Sequence, residues 1–294
     1  MAARKSNFHT HSTFCDGKNT AEEMVIAAIE KGFTTLGFSS HCIHPLNPEF
    51  YKPYDSIWHI PSENIISYTQ EIRRLKEKYA CQIQIYLGFE AEYFDSQKYG
   101  TSVPDKTKYA EFAPDYLIGA VHFINRGDEF FSVDNKTDIV KEALTRFYSK
   151  PNGEIDGRAA VCDYFAAERE MLLKGNFDIL AHPDLIRIRN TTLNFFSEEE
   201  SWYKDEIKAT AKAIANAGVI AEINTGAIAR GNMDDTYPSQ QFLEYLHDYN
   251  VPVCINSDAH TQNNLDCAFD RAAEKARRAG YKELVYPHGV IVSL

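Results

Sequence analysis

The 294-residue sequence lacks several features that would each assign it to a particular class of protein. Its six cysteines lie far apart without a C-x-x-C pair, which indicates reduced thiols rather than a disulfide framework. No run of about 18 apolar residues could cross a bilayer, and the N-terminal stretch has no apolar signal core. No block of five or six lysines and arginines occurs, and the net charge of −11 argues against duplex binding. We therefore expect a cytoplasmic protein with neither membrane nor nucleic-acid partners, and the sequence leaves its oligomeric state open.

Short apolar runs alternate with polar loops and helical stretches along the chain, which is the pattern of repeated βα units. Seven strands are predicted, around residues 7–8, 34–41, 83–93, 116–123, 177–184, 219–225 and 253–260. Helices are predicted from Thr20, which forms a capping box with Glu23, to Gly32, and at about 62–79, 137–149, 157–174 and 264–279. This alternation favours an α/β fold with a closed or nearly closed parallel barrel, as one domain over residues 1–294. The apolar tail should pack under the barrel or pair a short strand.

Acidic and imidazole side chains recur where the predicted strands end. They are His9, His11 and Asp16 after the first strand, His41 after the second, Glu90, His122 and His182 near the next three ends, and Asp258 and His260 after the last. In a βα barrel these ends converge on one face, where the loops build the active site. Each residue alone has an ordinary explanation: a hydrogen-bonded histidine, a turn at Asp16 or a helix cap at Asp258. Together they favour a metal cluster, since so many unpaired buried polar groups would be costly.

The predicted ligands also indicate the metal class and the reaction. Imidazole and carboxylate without thiolate suit Zn, Fe or Mn. At three or four ligands per ion the set implies two or three ions, with Glu90 placed to bridge a pair. Such a pair can lower the pKa of a shared water and clamp phosphoryl oxygens. Hydrolysis of a phosphate ester is therefore predicted, and a small phosphorylated substrate is compatible with the acidic net charge.

The ordered ligand set resembles that of the polymerase and histidinol phosphatase (PHP) family across nearly the whole chain. The resemblance implies a distorted (β/α)7 barrel and three ions. It would assign His9, His11, Glu90 and Asp258 to one ion, Glu90, His122 and His182 to the second, and Asp16, His41 and His260 to the third. The stretches LGFEAEYF, GAVHFINRGDEFFSVD and FDILAHPDLIR are similar to the L-histidinol phosphate phosphatase group. That similarity implies release of phosphate and L-histidinol in histidine biosynthesis.

The same resemblance suggests substrate contacts and a mechanism. Arg187 and Arg230 match arginines that hold the phosphate, although Arg189 could replace Arg187 and each could instead form a surface salt bridge. His44 and Glu92 are candidates for the amino and imidazole groups, with a structural role favoured for both. A hydroxide bridging the first two ions would attack phosphorus. The catalytic candidates are Glu90, as the bridge, and Asp258 and His260, although the general acid stays unassigned because both are ligands.

Three alternatives to this interpretation stay open. The same centre could serve another phosphomonoester, or nucleotide and oligonucleotide ends, and a scaffold could hold metal without catalysis. The aromatic loop from Ile43 to Ile60 could be a lid over the pocket, but packing against the second helix is favoured.

Overall fold

The structure is a computed structural model that describes residues 5–44, 58–96 and 98–294. In chain order, its strands and helices are β1 (Lys5–Asn7), α1 (Ala21–Glu30), β2 (Phe33–Phe38), β3 (His41–Cys42), α2 (Ile65–Lys78), β4 (Gln84–Glu92), β5 (Phe94–Ser96), β6 (Gly100–Ser102), β7 (Tyr116–Ala120), β8 (Phe123–Arg126), β9 (Glu129–Ser132), α3 (Thr137–Tyr148), α4 (Gly157–Lys174), β10 (Ile179–Leu180), α5 (Asn190–Leu193), α6 (Ser201–Ala217), β11 (Ile220–Asn224), α7 (Gly226–Ala229), α8 (Gln240–Asp248), β12 (Val253–Asn256), α9 (Phe269–Ala279), β13 (Glu283–Tyr286) and β14 (Val290–Ser293).

Parallel strands in the order β1-β2-β4-β7-β10-β11-β12 form the barrel, and β3 pairs with the end of β4. The chain after β1 closes the barrel against the chain after β12. There the backbone N of His11 donates to the carbonyl of Ala259 at 2.9 Å. A second hydrogen bond across this closure uses a side chain: Asn256 Oδ1 accepts from the backbone N of Phe8 at 2.7 Å. The predicted, nearly closed parallel barrel is therefore confirmed.

The barrel interior is packed around Tyr116, which lies at the start of β7. Its hydroxyl reaches across to donate to the carbonyl of Phe8 at 2.6 Å. The ring fits because its neighbours on β2 and β4 are Gly37 and Gly88: a Cβ built on Gly88 would lie 2.4 Å from Tyr116 Cζ. The hydroxyl of Tyr286 closes the same region by donating to the carbonyl of Ile255 at 3.1 Å.

The element bounds differ from the predicted ones mainly at strand ends. The fifth strand is only the pair Ile179–Leu180, so His182 lies in the loop beyond it. The predicted last helix begins at Phe269 rather than about residue 264, because Ala268 takes a left-handed φ of 56° and interrupts it. The capping box of α1 is confirmed. Helices α6 and α8 and the hairpins β5–β6 and β8–β9 were not predicted.

The predictions for the C-terminal tail and for the aromatic loop have different outcomes. The tail forms the antiparallel hairpin β13–β14, as one of the two predicted arrangements requires. Residues 45–57 lie outside the described residues, so the lid and packing interpretations of this loop are both untested there. Its end is described: Ile60 joins the hydrophobic core, whereas Trp58 and His59 line a cavity at the barrel mouth. None of the helices in the described part of the chain has the length and apolarity of a membrane span.

Candidate metal centre

Two histidines leave β1 towards the barrel mouth. His9 and His11 are both fully buried, and residues two apart in extended chain point to the same side. A carboxylate from β11 orients the first ring: Glu222 Oε1 lies 2.8 Å from His9 Nδ1. With Nδ1–H donated to that carboxylate, His9 presents Nε2 to the centre of the barrel.

Glu90, near the end of β4, lies at the centre of the cluster. Its two oxygens approach five imidazoles, with His41 at 2.9 Å, His9 at 3.1 Å, His182 at 3.1 Å, His11 at 3.5 Å and His122 at 3.6 Å. The carboxylate is 2 % exposed. One oxygen faces His122 and His182, and the other faces His9, His11 and His41. Glu90 therefore has the geometry of a bridge between two groups of imidazoles.

A second carboxylate centre lies nearer the surface. Asp16 Oδ2 is 3.0 Å from His260 Nε2, and Asp16 Oδ1 is 3.8 Å from His11 Nδ1 and 3.9 Å from His41 Nε2. Asp258 Oδ1 links this group to the deeper one, since it lies 3.2 Å from His11 Nε2. All nine side chains that the sequence singles out as ligands thus meet at one mouth of the barrel.

The donor set fits divalent metal ions on two observations. Three subsets hold donor atoms within 4.8 Å of one another: His11, Asp16, His41 and His260; His9, His11 and Glu90; and Glu90, His122 and His182. Within the part of the chain that the structure describes, several buried donor atoms have no hydrogen-bond partner, among them His9 Nε2, His11 Nε2 and Glu90 Oε2. Ligands about 2.1 Å from a tetrahedral ion lie about 3.4 Å apart. The closest separations around Glu90 and Asp258 have this size.

Electrostatics draws positive charge into the cluster. Burial lowers the pKa of His9, but nearby carboxylates, Glu222 first, outweigh it and raise this pKa well above its usual value. Burial likewise opposes protonation of His122, yet Glu92 raises its pKa to about 10. For His11, burial and neighbouring imidazoles lower the pKa to about 3. The buried carboxylates therefore favour cations here, which is also the requirement of a metal site.

A cavity of about 490 Å³ opens above the cluster. Arg230 lines it and donates to Asp258 Oδ2 at 2.9 Å, so a cation lies beside the predicted ligands. Arg189 lines it as well, held by the carbonyls of Asp134 and Asn135, each at 2.6 Å. Two guanidinium groups beside a metal-binding cluster form a site suited to a phosphate group.

Two of the predicted substrate contacts lie away from this cavity. Arg187 is 6 % exposed and binds Glu198 and Asp235, each at 2.9 Å. It belongs to a 3₁₀ segment with Arg189, and in such a turn residues two apart point to different sides. His44 pairs with Glu111 at 3.1 Å instead of facing the cavity.

The remaining predicted contact, Glu92, lines the cavity but is engaged by one partner. Its Oε2 lies 2.6 Å from His122 Nδ1, and its Oε1 accepts from the backbone N of the same residue at 2.9 Å. Sequence reasoning missed Glu222, although a lone acid inside the apolar run VIAEINT was a signal for it. It also did not assign Asp134 or His59 to the site, and both line the cavity.

Comparison with known proteins identifies the family. The family model described as PHP domain matches residues 7–226. The chain belongs to the PHP family. The matched range ends before Asp258 and His260, so the comparison covers the earlier PHP-like ligand positions and not these two.

Relatives and solved structures agree with this assignment. A Schizosaccharomyces pombe protein named as a probable histidinol-phosphatase is 25 % identical over 285 residues, covering 94 % of this chain and 87 % of the relative. The HisK protein of Listeria monocytogenes matches with a TM-score of 0.77 and 20 % identity, covering 91 % of this chain and 99 % of that one. Histidinol phosphate phosphatase of Lactococcus lactis, solved with Zn, L-histidinol and phosphate, matches with a TM-score of 0.71 and 19 % identity, covering 99 % of each chain. These likenesses confirm the predicted PHP barrel fold.

Proposed function

We propose that this protein is a metal-dependent phosphomonoesterase that hydrolyses L-histidinol phosphate to L-histidinol and inorganic phosphate. The observation that carries the proposal is one cavity in which two guanidinium groups, from Arg189 and Arg230, adjoin a buried imidazole and carboxylate cluster. The guanidinium groups can thus bind the phosphate oxygens, while the carboxylates and imidazoles can hold metal ions beside them. The names of the relatives, including a structure with L-histidinol and phosphate, supply the choice of alcohol.

We assign three divalent ions, of Zn, Fe or Mn, to the nine predicted ligands. His9, His11, Glu90 and Asp258 would hold one, Glu90, His122 and His182 the second, and Asp16, His41 and His260 the third. When bound, such ions supply Lewis acidity and lower the pKa of water near the phosphoryl group. The carboxylates of Glu222 and Glu92 support the assignment, because each fixes a histidine tautomer by accepting from Nδ1.

The side chains around the cavity have separate tasks in this proposal. Arg230 and Arg189 bind the phosphoryl oxygens and neutralise the charge that develops on them. Burial would raise the pKa of Asp258, but Arg230 and His9 hold it well below its usual range, so this carboxylate is an anion. Asp258 therefore orients Arg230 and does not supply the proton that the leaving alkoxide needs.

The test is phosphate release by the purified protein reconstituted separately with Zn, Mn and Fe. L-Histidinol phosphate is assayed beside a nucleoside monophosphate and a short single-stranded oligonucleotide, and bound metal is measured by elemental analysis. We expect rapid phosphate release from L-histidinol phosphate alone. Preferential hydrolysis of the nucleotide or the oligonucleotide would contradict the proposed substrate, and a protein that retains no metal would contradict the mechanism.

A matched pair of histidine variants tests the assignment of the cluster. His9→Ala should abolish turnover and lower the bound metal while the far-ultraviolet circular dichroism is retained. His247→Ala removes an exposed imidazole on α8 and should leave both quantities as in the wild type. Near-normal activity of His9→Ala would refute the metal assignment.

A further inference from the structure

One carboxylate at the cavity has no part in the proposed cluster. Among the acids that line the cavity, Asp16 and Asp258 belong to the proposed ligands, and each oxygen of Glu92 already accepts from His122. Asp134 is different. Its Oδ1 accepts from the hydroxyl of Ser132, and within the described ranges no protein group donates to its Oδ2. This oxygen is therefore available to a ligand.

The position of Asp134 is fixed by the same arginine that we assign to the phosphate. Arg189 Nη2 donates to the carbonyl of Asp134 at 2.6 Å, and Arg189 Nε donates to the next carbonyl, of Asn135, at 2.6 Å. The residue before Asp134 connects this loop to the cluster, because the backbone N of Val133 donates to the carbonyl of His122 at 2.9 Å. Asp134 thus lines the same cavity as Arg189 and Arg230, on a loop that is bonded to Arg189 and to the backbone of His122.

We propose that the Asp134 carboxylate binds the ammonium group of the substrate, and that the enzyme selects phosphate monoesters of 2-amino alcohols. The inference rests on the proposed phosphatase function. In L-histidinol phosphate the ammonium group is on the carbon next to the ester CH₂, so a phosphate held by Arg189 places it close to that guanidinium. Trp58, Phe123 and Ile188 line the same cavity and offer an apolar surface to the rest of the alcohol.

The experiment compares two substrates that differ only in the amino group: L-histidinol phosphate and its desamino analogue, 3-(imidazol-4-yl)propyl phosphate. The ratio of their kcat/KM values is measured for the wild type, Asp134→Asn and Asp138→Asn. Asparagine keeps the shape of Asp134 and an acceptor for Ser132 but loses the charge. Asp138 is exposed in the first turn of α3 and serves as the matched control. Elemental analysis establishes that the variants hold equal metal.

We expect Asp134→Asn to lower the ratio about 10- to 100-fold, chiefly through KM for the amine, because a charge-assisted hydrogen bond is lost. The inhibition constant of L-histidinol should rise by a similar factor, which gives a readout that does not depend on turnover. Asp138→Asn should match the wild type. An unchanged ratio in Asp134→Asn, or a wild type that hydrolyses both esters equally, overturns this inference and leaves the phosphatase in place. A wild type inactive on both esters overturns the proposed function, and the inference with it.

Discussion

Glu222 gives the most demanding test of how the cluster is held. This fully buried carboxylate on β11 accepts four hydrogen bonds. Its Oε1 faces His9 Nδ1 at 2.8 Å and Asn256 Nδ2 at 2.9 Å, and its Oε2 faces the backbone N of His182 at 3.0 Å and Asn224 Nδ2 at 2.7 Å. All four partners are donors. The change to glutamine keeps the volume of the side chain but replaces one acceptor oxygen by a donor.

Rotation of the neighbouring amides cannot relieve this change. Asn256 Oδ1 accepts from the backbone N of Phe8 at 2.7 Å, and Asn224 Oδ1 accepts from the backbone N of Gly226 at 2.8 Å. With Nδ1 of His9 protonated, two donors face the NH₂ group whichever way the glutamine amide turns. Two hydrogen bonds to a charged group, at about 1.5–3 kcal/mol each, are lost, so we expect Glu222→Gln to be destabilised by about 3–6 kcal/mol. Metal affinity should fall about 10- to 100-fold, since His9 loses its orienting anion.

The assay is urea unfolding of the metal-stripped protein, followed by circular dichroism, together with metal titration against a chelator of known affinity. Glu199→Gln is the matched control, because the Glu199 side chain is 88 % exposed and its ion pair should contribute little. The reasoning fails if Glu222→Gln unfolds within about 1 kcal/mol of the wild type and its metal affinity is unchanged. A loss of metal affinity without a loss of stability would refute only the claim that the side-chain amides of Asn224 and Asn256 cannot rotate.

Three further variants probe the fold away from the cluster. Gly88→Ala forces a methyl group onto the buried ring of Tyr116, so it should lose about 2–3 kcal/mol in urea unfolding; a loss under about 0.5 kcal/mol would mean that the ring can move. Glu168 is fully buried, and among the described residues neither of its oxygens has a hydrogen-bond partner. Burial first, then Asp184, raises its pKa well above 4.5. Its folded form therefore stays protonated while the unfolded form ionises, so stability is lost as the pH rises above about 4.5, and Glu168→Gln should remove that loss between about pH 5 and pH 8. Parallel curves for wild type and variant would contradict this. Burial raises the pKa of Asp266, but hydrogen bonds from Lys31 and Lys5 outweigh burial and lower this pKa below 3.8. The ionised Asp266 therefore stabilises the folded protein above about pH 3.8, and this stabilisation is lost as the pH falls through the lowered pKa. Asp266→Asn should thus cost about 1 kcal/mol near neutral pH, and unfolding curves in about 1 M salt should show no difference.

The barrel and the gathering of polar groups were predictable because both follow from local patterns. Apolar runs alternating with helical stretches dictate parallel strands, and parallel strands in a barrel bring their carboxyl ends to one mouth. Residues as distant in sequence as His9 and His260 therefore come together without any contact being known beforehand. Helices α6 and α8 were missed, although the buried residues Ile207, Ala211 and Ile214 of α6 follow the helical period.

The direction of the arginines could not be predicted from spacing. Arg187 and Arg189 are two residues apart, and a helix, a 3₁₀ turn or a strand would each aim them differently. The structure puts the first into ion pairs with Glu198 and Asp235 and the second at the cavity. Glu198 and Asp235 lie 11 and 48 residues along the chain from Arg187, so the outcome depends on tertiary packing. Sequence reasoning could offer Arg189 as an alternative but could not choose.

Backbone conformation at two proposed ligands links the short strands to the site. His182 and Asp258 adopt φ values of 27° and 50°, in a region that side chains other than glycine seldom occupy. Each follows a short barrel strand, β10 or β12, so the chain turns where a regular strand would continue. The turn brings His182 Nε2 to 3.1 Å from Glu90 and Asp258 Oδ1 to 3.2 Å from His11. Such strain costs about 1–3 kcal/mol per residue and persists only where surrounding contacts enforce it. Here the contact of His182 with Glu222 and that of Asp258 with Arg230 enforce this conformation. The positions of the His182 and Asp258 side chains therefore depend on the assembled barrel and not on their local sequence alone.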